Sequence, residues 1–139
     1  MAKSGKPFDG ASSSNQPVRL DANQFDFELA FYAGILKRAP DYVDVLRVMG
    51  SLLALKGLFA EGLKVDRRLV RLRPTDALAH YNLACSYARL NRANPSVKAL
   101  RRAVELGYRD FRYMLEDADL DPIRQDPRFR KLMLEYDNG

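Results

Sequence analysis

A 34-residue internal repeat is the feature of this sequence that most restricts how the chain can fold. When the chain is shifted against itself by 34 residues, Pro40 falls on Pro74. The same shift aligns pairs of similar size or conformational role, namely Met49 with Leu83, Gly50 with Ala84, Leu53 with Tyr87, Gly57 with Asn91, Gly62 with Ser96, Leu63 with Val97 and Val70 with Val104. A unit of this length cannot bury its apolar face alone, so successive units must stack on one another.

Apolar residues recur three and four positions apart between the breaks, which is typical of amphipathic helices, and no segment alternates as a strand does. We therefore predict an all-α domain. Gly57 and Asn91 tolerate a left-handed backbone, so each can end a helix. Asn94, Asp121 and Asp126 each precede a proline, a combination favoured at helix starts. The predicted helices cover about 23–38, 42–56, 59–72, 76–90, 95–106, 110–117 and 127–136.

The unit resembles the tetratricopeptide repeat, which places large and small residues at fixed positions of two helices and closes with a proline. The matching residues are Leu46, Met49, Gly50, Leu53, Gly62 and Pro74 in one copy and His80, Leu83, Ala84, Tyr87, Ser96 and Leu100 in the next. Asp66 stands where the family usually has an aromatic residue, and Tyr108 stands at the place of the closing proline. A third copy begins at Arg109 and loses the pattern after Met114, and 117–129 resembles the ending of such arrays in bacterial proteins.

The resemblance implies a right-handed α-α superhelix, a solenoid of about seven helices, over residues 21–139. We divide it into a half repeat at 23–39, repeats at 41–74 and 75–108, and a degenerate repeat at 109–137. Residues 1–20 are rich in Ser, Gly, Lys and Asn, so we predict a flexible amino-terminal tail there.

Tetratricopeptide arrays are non-enzymatic adaptors, so the resemblance implies that a peptide or helix of another protein binds in a concave groove lined by the first helix of each pair. Carried over by position, the peptide-binding groove residues are Asp44, Arg47, Val48, Ser51, Leu55, Leu78, Tyr81, Asn82, Cys85, Arg89 and Arg112, with Glu116 continuing the row. Arg47, Asn82 and Arg112 match three places of the clamp with which chaperone-binding members hold a terminal carboxylate. Ser51 and Glu116 depart from that clamp, and Glu116 would repel the carboxylate, so we do not expect a true clamp.

Two other functions remain open beside the peptide-binding module. Compact arrays of this kind also resemble the chaperones that serve bacterial secretion machines. The chain has 23 Lys and Arg against 18 Asp and Glu, a net charge of +5, which favours acidic partners. The basic residues cluster on the second helix of each pair, at Lys64, Arg67, Arg68, Arg71, Arg73, Lys98, Arg101 and Arg102. Glu61, Asp66 and Glu105 interrupt them and no aromatic residue interleaves, so a solvated face is favoured over nucleic-acid binding.

The first predicted helix is unusually aromatic, with Phe25, Phe27, Phe31 and Tyr32. These rings can cover the open edge that every solenoid must close for solubility. The alternative is a homo-oligomer formed through this amino-terminal helix, because an exposed apolar patch often marks an interface.

The sequence offers little for catalysis, since His80 is the single histidine and Cys85 the single cysteine. Five residues on one helix separate them by about 140° around its axis, which is a poor geometry for a nucleophilic pair. No phosphate loop or dinucleotide fingerprint is present. We therefore predict a protein that is not an enzyme and binds no cofactor.

Asp117, Asp119 and Asp121 imitate the start of a calcium loop. Pro122 and Arg128 then stand where such a loop requires glycine and glutamate, so we predict no metal site. Helix capping and pairing with Arg124, Arg128 or Arg130 are the favoured roles of these aspartates.

The apolar stretch Val48 to Leu55 is far shorter than the roughly 20 residues of a membrane-spanning helix. The first residues lack the apolar block of a secretory signal, and one cysteine cannot form an internal disulfide. These features predict a cytoplasmic protein that does not enter a membrane.

Overall fold

The computed structural model describes residues 22–137, and over that range the chain is all helical. In chain order the elements are α1 (Ala22–Arg38), α2 (Val43–Leu55), α3 (Phe59–Leu72), α4 (Ala77–Arg89), α5 (Ala93–Glu105), α6 (Phe111–Glu116), the 3₁₀ helix η1 (Ala118–Ile123) and α7 (Pro127–Asp137). The predicted all-α class is confirmed, and each of the seven predicted helices has a counterpart. The helix η1 was not predicted, and the predicted tail at 1–20 lies outside the described residues.

Gly57 and Asn91 end the first helix of each pair in the left-handed conformation predicted for them, with φ values of 78° and 59°. In both turns an amide one residue later bonds back into the helix, from Leu58 to the carbonyl of Leu53 at 2.9 Å and from Arg92 to that of Tyr87 at 3.0 Å. This backbone pattern satisfies carbonyls that the helix end leaves unpaired. The two repeats therefore make the same turn at equivalent positions.

The three predicted starts before prolines have different outcomes. The Asp126 start is confirmed, since α7 begins at Pro127 and the Asp126 carboxylate accepts the Arg128 amide at 2.8 Å. The Asn94 start is wrong because α5 already begins at Ala93. Pro95 fits inside the first turn, where amides have no partner within the helix to lose. The Asp121 start is also wrong, because Pro122 lies within η1.

The helices α1 to α5 pack mainly on their neighbours in the chain, whereas η1 and α7 pack on helices further back in the chain. The most extensive contacts join α2 to α3 and α4 to α5, which are the two pairs predicted from the repeat, and α3 packs on α4 between the pairs. The helix α1 packs on α2, η1 packs on α4, and α7 packs on α5. The larger buried cluster extends from Leu63 to Met133, and a smaller one joins Val45, Met49 and Leu53 to α1.

Small residues permit the close approach of paired helices. A Cβ atom added at Gly50 would lie 3.3 Å from Asp66 Oδ1, so the buried Asp66 side chain would have to shift to accept a larger residue. In the second pair the Ser96 hydroxyl donates to the Ala84 carbonyl at 2.8 Å. Asp66, which replaces the expected aromatic residue, is 2% exposed and accepts a hydrogen bond of 2.5 Å from Ser86. The seam between the two pairs is therefore polar where the family pattern is aromatic.

Within the described residues, no helix combines the length and the apolar character needed to cross a bilayer.

Candidate functional site

One side of α2 is open and carries most of the residues predicted for the first half of the groove. Asp44, Val48, Ser51 and Leu55 are spaced four, three and four residues apart, so they form one stripe along the helix. Val48 is 38% exposed and Leu55 is 57% exposed. Asp44 is exposed and Ser51 is half-buried. We call these four residues the α2 face, along which polar and apolar side chains alternate.

Arg47 lies beside the α2 face and connects the two repeats. Its guanidinium bonds to Asp76 Oδ2 at 2.8 Å, while Asp76 Oδ1 accepts the Ala79 amide at 3.1 Å and so caps α4. Burial raises the pKa of the Asp76 carboxyl, but the hydrogen bonds from Arg47 and the Ala79 amide together lower it more, so the net shift is downward. Arg47 thus has a structural task beside any contact with a ligand.

The equivalent side of α4 is not open. Tyr81 is 0% exposed and Cys85 is 1% exposed, so neither can touch a ligand at the surface, and their prediction as groove residues is wrong. Leu78 and Asn82 are half-buried, and Leu78 packs against the larger core cluster. The physical reason is that η1 and the residue before it lie on this side of α4.

Asp117, the residue before η1, joins that segment to α4. Its Oδ2 accepts a hydrogen bond from the Tyr81 hydroxyl at 2.7 Å and lies 3.8 Å from Cys85 Sγ. Its Oδ1 accepts the Asp119 amide at 2.9 Å, which caps η1 as predicted. Burial raises the pKa of Tyr81, and the charge of Asp117 adds to the effect, so the phenol is a neutral donor.

Further contacts hold Asp117 and η1 against α4, and we call this segment, residues 117–123, the cover on α4. Leu120 and Ile123 of η1 are almost fully buried, and the Tyr108 ring stacks on the Tyr81 ring with centroids 4.5 Å apart. Arg124 Nη2 donates to the Asp117 carbonyl at 2.6 Å and to Asp121 Oδ1 at 2.8 Å. Residues 117–123 therefore cover this side of α4.

The last two predicted groove residues lie apart from this cover. The Arg89 guanidinium lies 4.6 Å from the centre of the Phe59 ring, a cation–π contact with α3. Arg112 is exposed on α6, and Glu116 is exposed at the end of the same helix.

Cys85, Asp117 and Asp119 form the one cluster within the described residues whose atoms could hold a metal ion, with ligand atoms within 4.8 Å of one another. Thiolate and carboxylate groups are ligands for divalent metals such as zinc. Here, however, both oxygens of Asp117 already accept hydrogen bonds from Tyr81 and the Asp119 amide. In the structure, Asp117 of this cluster instead joins η1 to α4 through these hydrogen bonds. This contact could not be predicted from the sequence, because Asp117 lies 36 residues after Tyr81 and outside the regular repeat.

Half of the basic cluster on α3 and α5 has carboxylate partners within the protein. The pairs are Lys64 with Glu61, Arg68 with Asp41, Arg101 with Glu135 and Arg102 with Glu105, with nitrogen to oxygen distances of 3.6, 2.5, 2.5 and 3.3 Å. The remaining members are Arg67, Arg71, Arg73 and Lys98, and all four are exposed.

The aromatic residues of α1 divide into two sets. Phe25 is buried under Lys56, whose Nζ lies 5.0 Å from the ring centre, and Tyr32 packs against the smaller core cluster. Phe27 and Phe31 point outward and are 68% and 53% exposed. Covering of the open edge therefore accounts for only part of this aromatic surface.

Comparisons with known proteins give one partial similarity. No family model matches the chain. Over 86 residues the chain is 31% identical to a curated chloroplastic protein of Arabidopsis thaliana, and the aligned region takes in 60% of this chain. The same region is 26% of that protein, so the chain spans about a quarter of the length of the curated relative.

Proposed function

We propose that this protein is an interaction module of the tetratricopeptide type, which binds a peptide of another protein along the α2 face. The 34-residue repeat supports this proposal because its two copies form two helix pairs with the same left-handed turn at Gly57 and Asn91. Stacking of such pairs produces a right-handed superhelix in repeat proteins. The observation that carries the proposal is the open stripe on α2, at the position where the family binds its ligands.

The chemistry of the α2 face suits a short peptide with apolar and charged residues. Val48 and Leu55 supply apolar surface, and Asp44 offers an acceptor for a basic group. Arg47 keeps 39% of its side chain exposed while it holds Asp76, so it can also meet a carboxylate at the edge of the face. A few polar groups that orient a ligand between apolar contacts are typical of binding sites.

The cover on α4 limits the length of the ligand. The helix α2 has 13 residues, which corresponds to about 20 Å at 1.5 Å per residue. An extended peptide rises about 3.3 Å per residue, so about six residues fit along this face. We therefore propose a short peptide as the ligand, and no groove continuous over both repeats.

Two alternative functions, a secretion-type chaperone and a nucleic-acid-binding protein, have less support. The secretion-type chaperone remains a prediction that rests on the resemblance alone. Nucleic-acid binding is less favoured, since internal carboxylates pair with four of the eight basic residues that would contact phosphates. A role without catalysis or a cofactor, and a cytoplasmic location, also remain predictions.

Peptide-display selection with a random 12-residue library tests the proposed function. Peptides that enrich on the wild-type protein are expected to lose at least about tenfold in affinity for the Leu55→Asp and Val48→Asp variants, which corresponds to about 1.4 kcal/mol. Leu134→Asp is the matched control, because Leu134 is also exposed, at 68%, but lies on α7. Circular dichroism checks that each variant keeps its helical content.

The proposal fails if the selected peptides bind the two α2 variants as tightly as the wild type. It also fails if binding is lost instead when Arg67 and Arg71 on α3 are replaced by glutamate.

A further inference from the structure

The outward side of α1 carries an apolar surface that the peptide-binding proposal does not use. The rings of Phe27 and Phe31 stack on each other with centroids 6.3 Å apart and remain largely exposed. Tyr42, just before α2, is also half exposed. A contiguous apolar patch on a small protein marks an interaction surface more often than isolated apolar residues do.

A hollow adjoins these rings on the same side of the helix. It has a volume of about 460 Å³ and is lined by Ala30, Gly34, Arg38 and Tyr42, among others. A Cβ atom added at Gly34 would meet no other atom within 4 Å, so the floor of the hollow is open. The space can accept an aromatic side chain from a neighbouring molecule.

The projecting ring and the hollow are spaced so that two copies of α1 can fit each other. Phe27 and Gly34 are seven residues apart, which is about two helical turns, so both lie on one side of α1. In an antiparallel pair centred between Ala30 and Phe31, Phe27 of each copy faces Gly34 of the other. The same surface then serves as projection and as cavity on both molecules, as a two-fold interface requires.

The charges of α1 favour the same arrangement. Asp26 and Glu28 lie in the first half of the helix, Asp26 in an exposed ion pair with Lys56 at 2.9 Å, and Lys37 and Arg38 lie in its last turn. An antiparallel pair places the acidic half of each helix beside the basic end of the other. A parallel pair would place like charges together, which is unfavourable.

We propose that the protein forms a two-fold symmetric dimer in which α1 helices of two copies pack antiparallel, with Phe27 of each inserted over Gly34 of the other. The helix is 17 residues long, about 25 Å, so the contact is smaller than a standard interface of about 1,600 Å². A contact of this size is typical of weak, transient complexes, so we expect dissociation in the micromolar range. The α2 face stays available, so this inference is independent of the proposed peptide binding.

Analytical ultracentrifugation of the full chain from about 1 to 500 µM tests the dimer. The wild type is expected to shift from monomer to dimer across this range. Phe27→Ser removes the projection and Gly34→Leu fills the cavity, so each is expected to raise the dissociation constant at least about tenfold. Leu134→Ser, a change of another largely exposed apolar residue, is the control and is expected to leave the dimer unchanged.

Gly34→Leu also separates loss of the dimer from loss of the fold. Leucine favours a helix more than glycine does, so this variant is expected to raise the thermal midpoint of the monomer while it weakens the dimer. A wild type that stays monomeric at every concentration overturns the proposal. Equal effects of Phe27→Ser and Leu134→Ser overturn it as well.

Disulfide crosslinking tests the direction of the helices. In the antiparallel pair, position 24 of one copy faces position 37 of the other. A mixture of Gln24→Cys and Lys37→Cys proteins, distinguished by mass, is therefore expected to form mixed disulfides on mild oxidation, and the native Cys85 is buried and does not compete. Disulfides formed only between identical copies would overturn the antiparallel arrangement.

Discussion

The helices α2 and α4 hold equivalent positions in the two repeats, yet one side of α2 is open and the same side of α4 is covered. Ser51 on α2 and Cys85 on α4 are 34 residues apart, and only the first retains contact with solvent. The difference comes from η1 and Asp117, which belong to neither complete repeat. Position within a repeat therefore defines which way a side chain points, while the terminal segment decides whether a ligand can reach it.

The largest expected effect comes from weakening the cover on α4. Leu120 is fully buried, so Leu120→Ala is expected to lower the free energy of unfolding by about 2–5 kcal/mol. Leu55→Ala on the open face removes the same atoms from an exposed side chain and is expected to cost less than about 0.5 kcal/mol. Urea denaturation measures both values, and equal losses would show that the two faces do not differ as described.

A smaller effect is expected at the hydrogen bond between Tyr81 and Asp117. Tyr81→Phe leaves a buried carboxylate oxygen without its hydroxyl donor, so we expect a loss of about 1–3 kcal/mol. Asp117→Asn keeps the shape but removes the charge, and a loss in the same range is expected. A double-mutant cycle with both changes should give less than the sum, because the two residues contact each other. If the two losses of unfolding free energy simply add, Tyr81 and Asp117 do not interact as described.

The next prediction concerns the ion pair of Arg47 with Asp76, which connects the open helix α2 to the covered helix α4. The folded-state pKa of Asp76 is lowered, so its carboxylate contributes stability above the unfolded value near 3.8, and this contribution disappears as pH falls through the folded value. Asp76→Asn keeps a good helix cap and loses only the charge. Its deficit in unfolding free energy, up to about 1 kcal/mol at neutral pH, should vanish in acid. A deficit that persists well below that pH would contradict this account.

The smallest expected effect is on the open face itself. Val48→Asn places a polar group on an exposed part of α2, so the free energy of unfolding should change by no more than about 0.5 kcal/mol. Thermal denaturation followed by circular dichroism measures the change. A loss of about 2 kcal/mol or more would mean that another part of the protein covers Val48.

The helices and their turns could be predicted from the sequence because they depend on local chemistry. Gly57 and Asn91 tolerate the left-handed backbone that ends each first helix, and the 34-residue period placed the pairs. The start of α5 at Ala93 could not be read from Pro95, since a proline is tolerated anywhere in the first turn.

The site was less predictable because burial depends on distant parts of the chain. Val48 and Leu55 are exposed on α2, on the face that their position in the repeat indicated, and their role in binding remains a prediction. The burial of Tyr81 and Cys85 depends on Asp117, a non-local contact that no periodic pattern indicates. Asp66 stands where the tetratricopeptide pattern has an aromatic residue, which indicated a difference at this position, but its bond to Ser86 is visible only in the structure.

Thiol reactivity tests the contrast between the open and covered helices most directly. The wild type carries only Cys85, and a Cys85→Ser/Ser51→Cys double variant carries one thiol at the equivalent position of α2. We expect the partly exposed thiol on α2 to react directly with a disulfide reagent, and Cys85 to react at least about a hundredfold more slowly because its reaction requires the segment over α4 to open. Similar rates for the two thiols in the native protein would contradict the account.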